Sequence, residues 1–299
     1  MAGLNRSSHC RLANKYLINL NRYDVKKYLN LACGADYVTD EQWVNLDFSP
    51  HNTNHVLSVD LLSRLPFDDA SVDVVYSSHF FEHIPRQQVA DFLSECMRIL
   101  KPSGHLRLVL PDLENLCREY LKRREIGDHD KAYFVVLEMI DQCVRACSGG
   151  DLNRFYQQVK TAPDANKEMI SYVRERTGED LLYHQLNNSP PRTVGKTALW
   201  IRARSSLKEF RHRLGLRLLD AAFKRQNVSL ATLGERHHWL WDYWQLANVL
   251  ETAGFIDIVR LDCRSTRIEA FPLVPLDSDA NGLPRKGAES MFLEARKPS

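Results

Sequence analysis

The strongest constraint on the fold of this chain is an apolar strand that runs directly into a turn of small residues. Strand and turn read KYLNLACG at positions 27–34, and a second short strand at 43–46 ends on the carboxylate of Asp47. Small side chains after the first strand let the backbone approach a nucleotide-like ligand closely. An acid at the end of the second strand can accept both ribose hydroxyl protons. This pair favours a nucleotide-binding α/β fold. The alternative is an ordinary strand–turn–strand with an incidental Asp.

Length, charge and cysteine content limit the remaining possibilities. The 299 residues suffice for one large α/β domain or one domain with a sizeable insertion. A formal net charge of +2 means that any basic character must be local. The seven cysteines show no paired spacing, and we interpret them, Cys143 and Cys147 included, as buried thiols in a reducing compartment. No apolar run approaches the ~20 residues needed to cross a bilayer, and residues 1–21 do not resemble a signal peptide. We therefore expect a cytoplasmic protein.

The alternation of strands with turns or helices up to position 110 predicts a parallel sheet covered on both faces. No convincing strand follows between positions 113 and 236, which we interpret as several helices joined by loops. The predicted strands are 28–31, 43–46, 55–59, 72–76, 105–110, 256–261 and 291–295, and the clearest helices are 89–100 and 243–253.

Two carboxylates end consecutive strands of this sheet. Ligands of open α/β sheets bind at the carboxyl ends of the strands, where the strand order reverses. Asp47 suits a ribose, whereas Asp60 can accept a hydrogen bond from an adenine amino group while the Leu61 backbone N–H donates to the ring. The alternative is that both are solvated acids at strand ends.

Five motifs in this order resemble the class I S-adenosylmethionine-dependent methyltransferases. They are LNLACG at 29–34, the strand end at Asp47, Asp60 followed by LPFD at 65–68, VDVVY at 72–76 and LKPSG at 100–104. Further stretches resemble, more narrowly, a bacterial family of predicted methyltransferases associated with cell-surface polysaccharide synthesis. These stretches are WVNLD at 43–47, SSH at 77–79 with EH at 82–83, LPDLE at 110–114, and HW at 238–239 near Asp242.

The resemblance implies a Rossmann-like, seven-stranded, mostly parallel sheet with helices on both faces and a reversed final strand. A helical insertion would precede the last two strands. Residues 1–112 would form the cofactor-binding part, residues 113–236 the helical insertion that meets a substrate or partner, and residues 237–299 the completion of the sheet.

The same resemblance implies S-adenosylmethionine as the cofactor and assigns residues to it. The cofactor would lie over Ala32, Cys33 and Gly34, with its ribose on Asp47 and its adenine at Asp60 and Leu61. Asn30 belongs to the same motif, and Ser77 and Ser78 would lie near the methionine moiety.

The chain departs from the family pattern at two positions of this motif and in the link that follows. Asn30 stands where the family has an acid, and Ala32 stands where it usually has glycine. The link at 35–42 is also too short for a full helix. These departures favour weaker cofactor affinity or loss of activity.

Two residues are candidates for catalysis. His79 follows strand four and could accept the proton of a hydroxyl nucleophile, and Asp112 follows strand five and could orient that hydroxyl or the cofactor amine. The alternative for His79 is a strand-end histidine bonded to backbone. Glu82 and His83 are interpreted as bracing the following helix. No metal site is expected, because the adjacent residues of the His237–His238 pair point in different directions and no acid or Cys completes a ligand set.

The segment 192–225 combines basic residues with an apolar stripe at helical spacing. Such a helix could associate peripherally with an anionic membrane that carries a lipid-linked substrate. It could instead pack its stripe on the domain and remain solvated. Nucleic acid is a less favoured partner, because no aromatic residues interleave with the charges.

The sequence therefore favours a methyltransferase that acts on a hydroxyl of a saccharide or glycan precursor. The alternatives are a catalytically inactive methyltransferase-like binding protein and an RNA methyltransferase. Neither the acceptor nor the oligomeric state follows from the sequence.

Overall fold

The computed structural model describes residues 26–48, 54–182 and 234–299, together with positions 220, 228, 229 and 231. Its centre is a seven-stranded sheet in the order β3-β2-β1-β4-β5-β7-β6. Neighbouring strands from β3 to β5 are parallel, whereas β7 is antiparallel to both β5 and β6. The predicted Rossmann-like sheet with a reversed final strand is thus confirmed. The strands are β1 Tyr28–Leu31, β2 Trp43–Asp47, β3 Val56–Ser58, β4 Val72–Ser78, β5 Leu100–Pro111, β6 Ile256–Leu261 and β7 Ser290–Arg296.

The described part of the chain contains four consecutive helices between positions 113 and 177, within the stretch where the sequence predicts a helical insertion. The helices in the described part of the chain are α1 Val89–Ile99, α2 Leu113–Glu125, α3 His129–Val144, α4 Gly150–Lys160, α5 Lys167–Thr177, α6 Tyr243–Thr252 and the single turn α7 Leu273–Leu276. Two 3-10 turns, Phe81–His83 and Arg86–Gln88, precede α1. The link between β1 and β2 contains no helix, as its length predicts.

Apolar residues cover both faces of the sheet, which is why its parallel strands are buried on both sides. Leu29 and Leu31 of β1 face one core, to which α1 contributes its apolar stripe. Tyr28 faces the other, more aromatic core. The insertion helices have a third core of their own, built around residues such as Phe134 and Tyr172.

The insertion docks onto the sheet through main-chain groups. The N–H groups of Ala288 and Glu289, just before β7, donate to the carbonyls of Glu175 and Arg176 at 2.9 and 3.0 Å. Two glycines with positive φ make this crossing possible, Gly178 (φ 75°) and Gly287 (φ 78°). A Cβ on Gly287 would overlap the Arg176 carbonyl, so the two chain segments approach closely only because no side chain lies between them.

Strand β5 begins at Leu100, directly after α1, and not at position 105 as predicted. The sequence 101–104 was expected to form a turn because it contains Pro and Gly. In the structure these residues bulge out of the strand, and the pairing register with β4 shifts there. Ser103 adopts a φ of 62°, which is the left-handed conformation that such a bulge requires.

The six cysteines in the described part of the chain are free. Cys147 is exposed and Cys143 only half-buried, so the prediction that both are buried is wrong. The reason is that α3 ends at Val144, and the apolar run does not continue as a buried helix.

Among the described residues, no helix combines the length and apolar character needed to span a membrane. The basic segment 192–225 lies outside the described residues except for position 220, so its predicted membrane association stays a prediction.

Candidate functional site

Two cavities meet at His79 and His83. The first, of about 300 Å³, lies at the carboxyl ends of β1, β2 and β4, where the strand order reverses. The second, of about 430 Å³, lies between the sheet and the insertion helices. His79, His83 and Gly234 line both cavities. Position and volume therefore suit two ligands bound side by side.

The turn after β1 forms one wall of the first cavity and is fixed to β2. Ala32 lines the cavity with a φ of 54°, a conformation that costs an alanine more than a glycine. The N–H of Gly34 donates to Oδ2 of Asp47 at 2.9 Å, and the N–H of Cys33 donates to the Leu46 carbonyl at 3.1 Å. Asp47 itself lines the cavity, so one carboxylate both holds the turn and faces the ligand space.

The loop after β3 forms the opposite wall. Asp60 and Leu61 both line the cavity, and Asp60 accepts hydrogen bonds from the Leu62 N–H at 3.1 Å and the Ser63 hydroxyl at 2.8 Å. Glu95 of α1 holds the far end of this loop, because its carboxylate accepts from the Leu65 N–H at 2.7 Å. The predicted ribose and adenine residues thus lie around one cavity.

Five other predicted cofactor residues do not line this cavity in the part of the chain that the structure describes, and one of them is Gly34, whose N–H donates to Asp47. The Asn30 amide donates to the Asp36 carbonyl at 3.0 Å and to the Asn45 side chain at 3.2 Å, so it stabilises the β1–β2 link. Cys33 is buried, and burial raises the pKa of its thiol to about 12. The Ser77 hydroxyl donates to the Leu31 carbonyl at 3.4 Å, and the Ser78 hydroxyl is buried.

His79 lies at the boundary of the two cavities in a strained backbone conformation, with a φ of 50°. Its Nε2 lies 2.9 Å from the Ser290 hydroxyl oxygen, and that hydroxyl donates to the Lys286 carbonyl at 3.2 Å. We therefore assign the ring proton to Nε2, which leaves Nδ1 as the basic nitrogen. Burial, together with the charge of Lys286, lowers the pKa of His79 well below its usual value, so the ring is neutral at pH 7.

Asp112 is buried and its carboxylate is committed to the fold. One oxygen caps α2 by accepting from the Glu114 N–H at 3.0 Å, and the other is paired with Arg260 of β6. The prediction that Asp112 orients an acceptor is not supported by this placement. Its physical role is that of an N-cap and a buried ion-pair partner, which the sequence motif did not reveal.

The second cavity is lined by polar residues that carry no sequence motif. They come from α3, α4 and the loop before β7, and include Glu138, Gln142, Arg145, Asn153, Lys286 and Glu289. Burial raises the pKa of both Glu138 and Glu289, and Arg176 partly offsets this effect. In the sequence, Glu138 could have indicated this cavity, because it is a carboxylate on the apolar stripe of α3.

The structure also corrects the interpretation of the His237–His238 pair. The two side chains do point in different directions, since His237 is buried and His238 exposed. However, the sequence predicts no acid that completes a ligand set with this pair, and the structure places Glu82 beside it. Oε1 of Glu82 lies 3.9 Å from His237 Nε2 and 3.8 Å from His83 Nε2. Burial raises the pKa of Glu82 to about 8. Glu82 and His83 therefore belong to a side-chain cluster and do not merely brace a helix.

The strand order, the antiparallel β7 and the cavity beside Asp47 together define a Rossmann-like fold of the class I methyltransferase type. Residues 28–108 match the family described as "Methyltransferase domain". A probable S-adenosylmethionine-dependent methyltransferase of Mycolicibacterium smegmatis is 37% identical over 89 residues, covering 26% of this chain and 34% of the relative. Another, from Mycobacterium tuberculosis, is 33% identical over 105 residues, covering 30% of this chain and 38% of the relative.

The matched segment thus spans little more than a third of the length of these curated relatives. A crystal structure of a SAM-dependent methyltransferase from Archaeoglobus fulgidus aligns with a TM-score of 0.38 at 12% identity, covering 98% of this chain and 96% of that one. The family match and the relatives support a class I S-adenosylmethionine-dependent methyltransferase and imply S-adenosylmethionine as the cofactor.

Proposed function

We propose that this protein transfers a methyl group from S-adenosylmethionine bound in the first cavity to an acceptor bound in the second. The observation that carries the proposal is the hydrogen bond between Asp47 and the Gly34 N–H at the edge of the first cavity. In this arrangement Asp47 accepts the ribose hydroxyls. Asp60 accepts the adenine amino group, and the Leu61 N–H donates to the ring. Ala32 leaves space for the cofactor to cross the turn.

The shared boundary of the cavities supports the assignment of the reaction site. A sulfonium is already a good leaving group, so the protein has to align the nucleophile with the methyl carbon and the sulfur. The acceptor oxygen forms the new bond to carbon, the carbon–sulfur bond breaks, and the hydroxyl proton goes to Nδ1 of His79. Ser290 holds the ring by its Nε2 while this proton is taken up.

The lining of the second cavity supports a polyhydroxylated acceptor. Gln142 and Asn153 offer amide donors and acceptors, Glu235 and Glu289 offer carboxylates, and Lys286 offers a cation. Such a mixture suits a ring of hydroxyl groups better than it suits an apolar acceptor. We therefore propose O-methylation of a saccharide or glycan precursor, which also agrees with the sequence resemblance described above.

A methyltransferase-like protein that binds without catalysis is the second candidate. It is favoured by Asn30, whose amide is used within the β1–β2 link at a position where related enzymes carry an acid. Both candidates would bind the cofactor, so binding alone does not distinguish them. Transfer of the methyl group to an acceptor does distinguish them.

The deciding experiment incubates the full chain with methyl-labelled S-adenosylmethionine and host extract separated into glycan, lipid, RNA and protein fractions. We expect label in the glycan fraction, and no label with the Asp47→Ala variant. Label confined to the RNA or lipid fraction would overturn the saccharide acceptor while retaining the enzyme. Calorimetric binding of the cofactor without labelling of any fraction would support the non-catalytic candidate.

A further inference from the structure

We propose that Glu82, His83 and His237 form a binding site for a divalent transition-metal ion of the zinc class. The three residues come from two distant parts of the chain: Glu82 and His83 from the 3-10 turn after β4, and His237 from the segment that precedes α6. One ligand atom from each lies within 4.8 Å of the other two. Two imidazoles with one carboxylate are a ligand set that zinc uses in proteins.

The separations suit a tetrahedral ion. Bonds of about 2.1 Å to nitrogen and oxygen place neighbouring ligand atoms roughly 3.4 Å apart. Oε1 of Glu82 lies 3.8 Å from Nε2 of His83 and 3.9 Å from Nε2 of His237. These two distances therefore exceed the spacing of ligands on a tetrahedral ion by only about 0.5 Å, and the ligand atoms of all three residues lie within 4.8 Å of one another. Both distances are also too long for direct hydrogen bonds.

Unsatisfied polar atoms provide an independent observation. Both carboxylate oxygens of Glu82 are fully buried, and neither has a hydrogen-bond partner in the described part of the chain. Buried oxygens of this kind are costly unless they are paired or coordinate a metal. A cation bound between Glu82 and the Nε2 atoms of the two imidazoles would give this carboxylate a partner.

Hydrogen bonds to neighbouring backbone groups orient the three ligands. Nδ1 of His83 lies 2.9 Å from the Arg236 carbonyl, so this nitrogen carries the proton and directs the unprotonated Nε2 toward Glu82. The backbone also joins the two ligand segments, because the His238 N–H donates to the Glu82 carbonyl at 2.7 Å. The His237 N–H donates to the Gln142 carbonyl of α3 at 3.0 Å, which fixes the segment before α6. The ligand positions are thus fixed by contacts that do not depend on the ion.

His83 gives the ion a route from solvent, because it lines both cavities whereas Glu82 and His237 are buried. Three protein ligands leave a fourth position of a tetrahedral ion open. If the proposed methyl transfer holds, an acceptor hydroxyl at that position would lose its proton more easily because of the charge of the ion. Nδ1 of His79, the proposed proton acceptor, lies close by, at 3.6 Å from Oε1 of Glu82. The metal site itself does not depend on that reaction.

Metal binding is tested on tag-free full chain that has been stripped with chelator and dialysed into metal-free buffer, with no methyl donor present. Zn²⁺ alone is titrated and the retained metal is counted by elemental analysis. Co²⁺ alone is titrated in parallel and followed by visible absorption. We expect one ion per chain, a tetrahedral Co²⁺ spectrum, and displacement of Co²⁺ by Zn²⁺.

Two ligand variants and one matched control locate the site. His237→Asn and Glu82→Gln should weaken Zn²⁺ binding by at least about 100-fold, whereas His238→Asn, the exposed neighbour, should bind like the unsubstituted chain. Circular dichroism checks that the variants fold. If they do not, the Co²⁺ spectrum of the unsubstituted chain still decides the question. Less than stoichiometric Zn²⁺, an octahedral Co²⁺ spectrum, or equal loss in His238→Asn would overturn the site. Because no methyl donor is used, failure here leaves the proposed reaction untouched.

Discussion

The carboxylate of Asp47 accepts a hydrogen bond from the backbone N–H of Gly34, at 2.9 Å. The bond joins the end of β2 to the turn that follows β1, and both segments form the edge of the first cavity. A single side chain thus sets the distance between the turn and the ligand space.

Replacing Asp47 with Asn should weaken S-adenosylmethionine binding by about 10-fold or more, since hydrogen bonds to a charged group are worth about 1.5–3 kcal/mol. The amide keeps an acceptor for Gly34, so the fold should persist. Isothermal calorimetry measures the change. Asp40→Asn, on the exposed β1–β2 link, should bind the cofactor normally, and equal losses in both variants would contradict the assignment of the ribose to Asp47.

Ala32→Gly should stabilise the protein by up to about 1 kcal/mol, because Ala32 has a φ of 54°. Relief of this left-handed conformation is worth about 1–2 kcal/mol, which exceeds the entropy cost of a glycine of about 0.5–1 kcal/mol. Ala35 is the matched control, since it is not among the described residues with positive φ. Ala35→Gly should lower the free energy of unfolding by up to about 1 kcal/mol. Urea unfolding compares them, and shifts of the same sign would refute the strain at Ala32.

Glu95→Gln should destabilise the protein by about 1 kcal/mol at pH 7, because Glu95 holds the loop after β3 through the Leu65 N–H. The hydrogen bonds from Arg98 lower the pKa of Glu95. The folded state therefore holds its proton less tightly than the unfolded state. This contribution is complete above the ordinary glutamate pKa of about 4.3 and disappears as the pH falls through the lowered value.

Unfolding of the unsubstituted chain and Glu95→Gln is therefore compared between pH 3 and pH 7. The difference in free energy of unfolding should shrink below about pH 4. Glu251→Gln, on the exposed side of α6, provides the control for removal of a glutamate charge elsewhere on the surface. A gap between the Glu95 variant and the unsubstituted chain that stays constant with pH would contradict the role of the charge.

Asp112→Ala should lower the free energy of unfolding by about 2–3 kcal/mol, since it removes an N-cap and leaves Arg260 without its buried partner. Asp112→Asn keeps a capping side chain, so its loss should be smaller. Cofactor affinity should be unchanged in both variants. If Asp112→Asn instead retained stability and cofactor binding but lost methyl transfer, Asp112 would act on the acceptor after all.

His79→Asn should lower kcat for the labelled acceptor by about 100-fold or more with little effect on cofactor affinity, as expected for the loss of a general base. Single-turnover transfer at saturating cofactor measures this step. His129→Asn, exposed at the start of α3, provides the control. A kcat within a factor of two of the unsubstituted enzyme would exclude His79 as the proton acceptor.

Features that depend on residues close together in the sequence could be predicted from it. The apolar strand before Ala32 and the acid that closes β2 are local patterns, and they located the sheet, its reversal point and one cavity. The bulge in β5 was missed because residues 101–104 have the composition of a turn, and only pairing with β4 reveals that they remain in the strand.

Features that depend on contacts between distant residues could not be predicted in this way. His237 meets Glu82 only when the chain before α6 returns to the end of β4, and no spacing in the sequence encodes that contact. Asn30 has the right position in the motif for a cofactor ligand, but its amide donates hydrogen bonds to the Asn45 side chain and the Asp36 carbonyl instead. Asp112 follows a strand, as a catalytic residue would, yet its carboxylate forms an ion pair with Arg260 of β6.

The main-chain crossing at Gly178 and Gly287 has a consequence for how acceptor preference evolves. Backbone groups hold the insertion against the loop before β7, so the wall of the second cavity does not owe its position to the side chains that line it. Apart from His79 and His83, which the proposed reaction and the proposed metal site use, those side chains can be exchanged by selection, in nature or in the laboratory, without displacing the lining of the first cavity. Engineering for a new acceptor should therefore begin with the side chains that line the second cavity, and Gly178 and Gly287 should be kept.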